Sequence, residues 1–150
     1  MPHNPAVAGL TRIPLVSVPV GVQMRTDHSL AGRDHLYWHD LETWPIVTMR
    51  AGTVMWEMLH RHVTAPDIAV QAMSARGAMV VVGRGAGLGV LARFETSADI
   101  PDLIWLPLHD ARPVHLCLTQ RRDGQPSRSA LVVRQLVRAK ADELAAPRNP

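Results

Sequence analysis

Hydrophobic positions fall in short runs along the chain, each closed by proline, glycine or a capping residue. Residues 14–24, PLVSVPVGVQM, predict a β-rich segment in which Pro19 and Gly21 mark an edge or bent strand rather than a central one. Residues 25–44 are irregular and polar, with one helical turn expected near Trp38 to Thr43. PIVTM, 45–49, reads as a short buried strand that delivers Arg50, Ala51 and Gly52 to a helix start.

Thr53 can cap that helix, with Met55, Met58, Leu59 and His62 on one face and Pro66 beyond its end. IAVQAM, 68–73, predicts a strand, and Ser74 caps a second, mostly buried helix running to about Gly83. Gly83, Gly85, Gly87 and Gly89 then turn the chain into the strand GVLARF, 89–94. Two further strands are expected at 103–108 and 114–120, and the short HDARP separator suits antiparallel neighbours. After the turn RRDGQPSRS, a helix over 128–146 carries an apolar stripe of Ala130, Val133, Val137, Ala141 and Leu144. The order β, β, α, β, α, β, β, β, α indicates α/β architecture.

Composition narrows the class. The chain has 150 residues and 47% apolar content, enough for a real core and incompatible with an extended disordered polymer. Its net charge is +3. Arg121, Arg122, Arg128, Arg134, Arg138, Lys140 and Arg148 outweigh Asp123, Asp142 and Glu143 in the tail, leaving the rest nearly neutral. Such an excess suits weak nucleic-acid attraction or an ordinary solvated helix face. The single cysteine, Cys117, precludes an intramolecular disulfide and is expected to be an inert strand residue. Without a spanning apolar run or an evident leader, a soluble, cytoplasmic protein is expected, with no membrane partner.

Few residues carry chemistry. His35 and His39 are four apart, but His35 precedes the expected turn, and His60 and His62 point different ways on a helix, so no metal site is predicted. No serine has a nucleophile-elbow context and no base is placed beside Cys117, so the chain is not expected to be an enzyme. The run GRGAGLG, 83–89, follows a helix pattern and precedes a strand, the reverse of a dinucleotide fingerprint, so no cofactor is expected. The strand-to-helix corner at Met49 to Thr53 is more informative. Helix-start N–H groups there favour an anion, Arg50 could pair with a carboxylate, and Thr53 Oγ1 could donate a hydrogen bond. Met73 and Ser74 repeat the arrangement. Either corner could equally do no more than cap its own helix.

DHSLAGRDHLYWHDLETWPIVTM, the AGT helix start and RGAGLGVLARF, in that order, resemble the effector-binding domain of LysR-type transcriptional regulators. The resemblance covers about residues 14–146. It departs from the family wording in MRAGT, where PRGSG-like phrases are commoner, and in LARF, where ALLP is usual. It implies a bilobal, type II periplasmic-binding-protein-like fold. Residues 15–86 would form the second lobe; 87–146 would hold the hinge return, Gly87 to Phe94, and the C-terminal part of the first lobe. It also implies a small-molecule effector, a carboxylate or aromatic metabolite, near Arg50, Gly52, Thr53 and Ser74. A solute-binding module of the same fold is the alternative, as is a non-functional remnant stabilised by dimerisation. The family's winged helix has no counterpart upstream of Pro14, so the chain is expected to be a C-terminal piece without direct DNA contact and to form homo-oligomers.

Overall fold

The computed structural model describes residues 8–93 and 100–145. Its elements are β1 (Leu10–Val18), β2 (Val20–Arg25), a 3-10 turn (Trp38–Leu41), β3 (Ile46–Met49), α1 (Val54–His62), β4 (Ile68–Ala72), α2 (Ala75–Gly83), β5 (Leu88–Ala92), β6 (Leu103–Pro107), β7 (Val114–Arg121) and α3 (Arg128–Ala145). They divide into two units, one spanning Pro19–Val114 and the other combining the residues before Pro19 with those from His115 onward.

The Pro19–Val114 unit is built on a five-stranded sheet in the order β4-β3-β5-β2-β6. β3 runs parallel to both β4 and β5, whereas β2 is antiparallel to β5 and β6. One face buries Val22, Met24, Ile46, Leu88 and Val90 under α1 and the segment around Trp38. The other buries Val47 and Leu91 under Ala78, Met79 and Val82 of α2. Strands covered on both faces read as continuous apolar runs, which is why the short runs IVTM and LGVLA sit at the centre of the sheet.

Several expectations are corrected here. The 14–24 segment is two strands in different sheets, and Pro19 lies between them rather than within one. β2 is internal, not an edge strand, and Gly21 is there for close approach. A Cβ at Gly21 would press well inside contact distance of the Leu106 carbonyl oxygen and the Trp105 ring. The expected antiparallel pairing of 103–108 with 114–120 does not form: β6 pairs with β2, and β7 pairs with β1 in a separate two-stranded sheet. The Pro19–Val114 unit includes β5, which hydrogen-bonds into the sheet between β3 and β2. Gly87, at φ +147°, lies against Pro45, and Leu88 N donates to the Pro45 carbonyl at 2.9 Å. The glycine run therefore lets the chain enter the sheet directly after α2. Phe94 lies outside the described residues.

The expected turn near Trp38 is present, four residues long. Asp40 secures it: the Tyr37 N–H donates to its carboxylate at 2.8 Å and Arg33 Nη1 at 2.7 Å, with the Asp40 side chain only 10% exposed. Burial alone would raise the Asp40 carboxyl, but the Tyr37 N–H and the Arg33 guanidinium, with His39 nearby, together hold it below the usual carboxylate value. Trp38 is buried and stacks on His62 of α1, ring centroids 5.0 Å apart and planes nearly parallel. His62 thus takes its place in the apolar face by covering an indole rather than by being buried itself.

In the other unit α3 packs against β1, and Arg134 Nη1 reaches Gln120 Oε1 of β7 at 3.5 Å. Val133, expected in the buried stripe, is 55% exposed, and Cys117, expected as an apolar strand residue, is also exposed. Two strands offer a helix a narrow strip to cover, so fewer of its turns are buried than the sequence pattern implies.

Adding a methyl at Gly21→Ala is expected to lower stability by about 2 kcal/mol or more, read as a fall in urea midpoint at unchanged slope. At neutral pH Asp40→Asn is expected to cost about 1–2 kcal/mol. Because the folded Asp40 value is depressed, its contribution is present above the unfolded carboxylate value near ~3.9 and is lost as pH falls through the folded one. Denaturation of the two proteins should therefore converge on acidification below about pH 4.

Candidate functional site

The connection leaving β3 passes through α1 on one face of the sheet, and the connection leaving β4 passes through α2 on the other. β3 and β4 are parallel neighbours with Met49 opposite Ala72, so both helix starts emerge at the same end of adjacent strands. In open α/β sheets ligands usually bind beyond the strands' C-terminal ends, where successive connections diverge to opposite faces.

Arg50, Gly52, Thr53 and Ser74 all lie at this end. Arg50 N donates to the Ala72 carbonyl at 3.1 Å, extending the ladder one step past β3, while its side chain is exposed. Gly52 is exposed at φ +83°, and Thr53 N closes the turn onto the Arg50 carbonyl at 3.3 Å. Thr53 caps α1 by accepting from Trp56 N at 3.3 Å, and Ser74 caps α2 by accepting from Gly77 N at 3.0 Å. One expected role changes. The Thr53 hydroxyl donates to the Arg50 carbonyl at 2.8 Å, so its proton is committed inside the turn rather than offered to a ligand. Thr53 is a shaping residue, whereas Arg50 and Ser74 are exposed.

One neighbour, Gln71, went unnoticed in the sequence. Gln71 Oε1 accepts from Ala51 N at 3.4 Å, tying the end of β4 to the α1 turn. Met73, 77% exposed, follows β4 directly and precedes the Ser74 cap. Strand alternation could have picked out Gln71, but its partner comes from β3–β4 pairing that no local pattern specifies.

A hollow of about 350 Å³ lies at the opposite ends of the parallel strands, lined among others by Arg25, Asp27, His28, Trp44 and Leu88. Its charges are already matched. Arg25 donates to both Asp27 oxygens, at 2.9 and 2.6 Å, and to the Gly83 carbonyl at 3.2 Å. The Arg25 hydrogen bond holds the Asp27 carboxyl below its ordinary value. Burial pushes the His28 imidazole down, and its Nδ1 accepts from Leu30 N, leaving a neutral ring protonated on Nε2. By contrast, the end beyond β3 and β4 carries the exposed Arg50 next to two capped helix starts.

His35, His39 and His109 gather around Tyr37, with ring centroids 5.0–5.5 Å apart. Among the described residues no group of three or more His, Cys, Asp or Glu side chains is arranged to hold a metal ion. Among those residues, too, no helix is long and apolar enough to cross a membrane.

The family model of the LysR substrate binding domain matches residues 1–142. No curated protein matches in sequence. Among solved structures, HinK, a LysR family regulator from Pseudomonas aeruginosa, superposes with a TM-score of 0.79 at 18% identity, over 95% of this chain and 52% of HinK. The effector-binding domain of QuiR in complex with shikimate gives 0.79 at 12% identity, over 94% of this chain and 69% of that one. The Synechocystis CcmR regulatory domain in complex with 2-PG gives 0.77 at 19%, over 97% and 74%. The chain spans about half the length of regulators such as HinK.

Thr53→Ala is expected to destabilise the fold by about 1 kcal/mol through loss of the α1 cap, and Thr53→Ser by much less, measured by chemical denaturation.

Proposed function

Because the chain belongs to the LysR substrate-binding-domain family, we propose that it senses a small-molecule effector for a transcriptional regulator, acting by binding and release rather than turnover. The observation that supports this reading most directly is the shared end of β3 and β4, where Arg50 precedes one capped helix start and a second, at Ser74, follows the neighbouring strand. Helix N-termini favour negative charge, and a guanidinium pairs with a carboxylate through two parallel hydrogen bonds. The effector class is therefore a small carboxylate, with aromatic carboxylates included. QuiR with shikimate and CcmR with 2-PG show that small metabolites occupy relatives of this fold.

In this reading Arg50 provides charge recognition and the Ser74 hydroxyl an additional polar contact. Gly52 lets the backbone approach the ligand, and Thr53 holds the Arg50 carbonyl in the turn. Regulation follows from differential affinity: an effector shifts a conformational equilibrium only by as much as it binds one state better. A cytoplasmic location and self-association belong to the same reading.

Isothermal titration with a panel of small carboxylates, shikimate among them, tests the assignment. Arg50→Ala is expected to weaken the best binder about tenfold or more, and Ser74→Ala by clearly less. Equal affinity of wild type and Arg50→Ala would remove Arg50 from the site.

A further inference from the structure

The hollow at the N-terminal ends of β3 and β5 suits a ligand of different chemistry from the one that Arg50 suits. Pro45 precedes β3 and Arg50 follows it, so the two places lie roughly 16 Å apart along that strand. Val82 and Leu88, both fully buried, close the hollow from within, and Asp27, Pro45 and Gly85 are exposed at its mouth. Gly85 and Gly87 line it without side chains, which keeps it open. A cavity of about 150 Å³ holds a benzene ring. At about 350 Å³ this one takes a six-membered ring with a substituent.

Two rings shape its wall. His28 and Trp44 meet edge to face, centroids 4.5 Å apart and planes at 63°, an angled corner in which a flat molecule stacks on one ring and meets the edge of the other. His28 Nδ1 accepts from Leu30 N at 3.2 Å, and burial pushes the imidazole pKa down, so the neutral ring has its Nε2–H left to donate. Charge selects against an anion. Arg25 spends Nε and Nη2 on Asp27 and Nη1 on the Gly83 carbonyl. A ligand carboxylate that displaced Asp27 would exchange one ion pair for another and leave Asp27 unpaired. An uncharged acceptor, a carbonyl oxygen or a ring nitrogen, carries no such cost.

We propose that this hollow is a separate binding site for an uncharged planar ring bearing one hydrogen-bond acceptor, stacked in the His28–Trp44 corner with the acceptor on His28 Nε2. It stands independently of the effector site, since nothing in it depends on Arg50 or on a carboxylate. The ring corner, the apolar base of Val82 and Leu88 and the already paired Arg25 each favour such a molecule over an anion or a non-planar ring. One small ring with one hydrogen bond binds at about a millimolar.

Benzamide is the probe, with benzoate and cyclohexanecarboxamide as its charged and non-planar counterparts. Titrated into the whole nitrogen-15-labelled chain, benzamide is expected to shift the Gly85, Gly87 and Leu88 amides and the Trp44 indole N–H, with a dissociation constant of about a millimolar. Cyclohexanecarboxamide should bind here about fivefold more weakly and benzoate about tenfold. Trp44→Leu, which removes one ring of the corner, and His28→Phe, which keeps the ring and removes the donor, should each weaken benzamide about fivefold with an unchanged circular dichroism spectrum. Should either variant fail to fold, nuclear Overhauser contacts in the wild type from the benzamide ring to the Trp44 ring and to the Val82 and Leu88 methyls decide the matter. The proposal is overturned by the absence of these shifts at about 10 mM benzamide, by benzoate binding here as tightly as benzamide, by full affinity in Trp44→Leu, or by benzamide shifts confined to Gly52 and Ser74. Carboxylate binding at Arg50 is read at Gly52 and Ser74, so the two sites stand or fall separately.

Discussion

The parallel pairing of β3 with β4, Met49 opposite Ala72, is the constraint on which the candidate site depends. It brings two chain segments more than twenty residues apart to one edge of the sheet. Because α1 covers one face and α2 the other, their first turns diverge there. A shift of one residue in this register would move every β4 side chain to the other face and separate the Gln71–Ala51 hydrogen bond that ties the two corners.

Packing makes that register hard to change. Ile46, Val47 and Thr48 are fully buried, so β3 has no face available to solvent. β5 completes the enclosure on its other side, and its close entry after α2 depends on Gly87 against Pro45. Trp38, clamped between the core and His62, extends the apolar layer beneath α1, with Asp40 fixing the turn that presents it. The candidate site is therefore mounted on a strand buried on both faces, while Arg50 and Ser74 stand exposed at the helix starts.

Electrostatics distinguishes the two ends of the same sheet. At one end Arg25 is matched by Asp27 and the carbonyl end of α2, so its charge is neutralised within the protein. At the other, Arg50 follows a strand and precedes a helix start, where the peptide dipoles add to its charge instead of opposing it. Two arginines on adjacent strand systems thus have opposite prospects as ligand contacts. Residue type alone does not separate them.

Much of the local structure was legible in the amino-acid order. Thr53 and Ser74 announced the starts of α1 and α2, Pro66 an end, and the apolar run PIVTM a doubly covered strand; in each case the deciding physics is a backbone or capping preference acting within a few residues. The corner residues Arg50, Gly52, Thr53 and Ser74 could be singled out for the same reason. Partner choice was different. That Pro19 separates two sheets, that Gly21 lies under Trp105, that β6 joins β2 while β7 joins β1, and that the Thr53 proton turns back onto Arg50 all depend on contacts between distant segments. Short strands satisfy their hydrogen bonds equally well with many neighbours, and only the burial of both sheet faces at once decides among them.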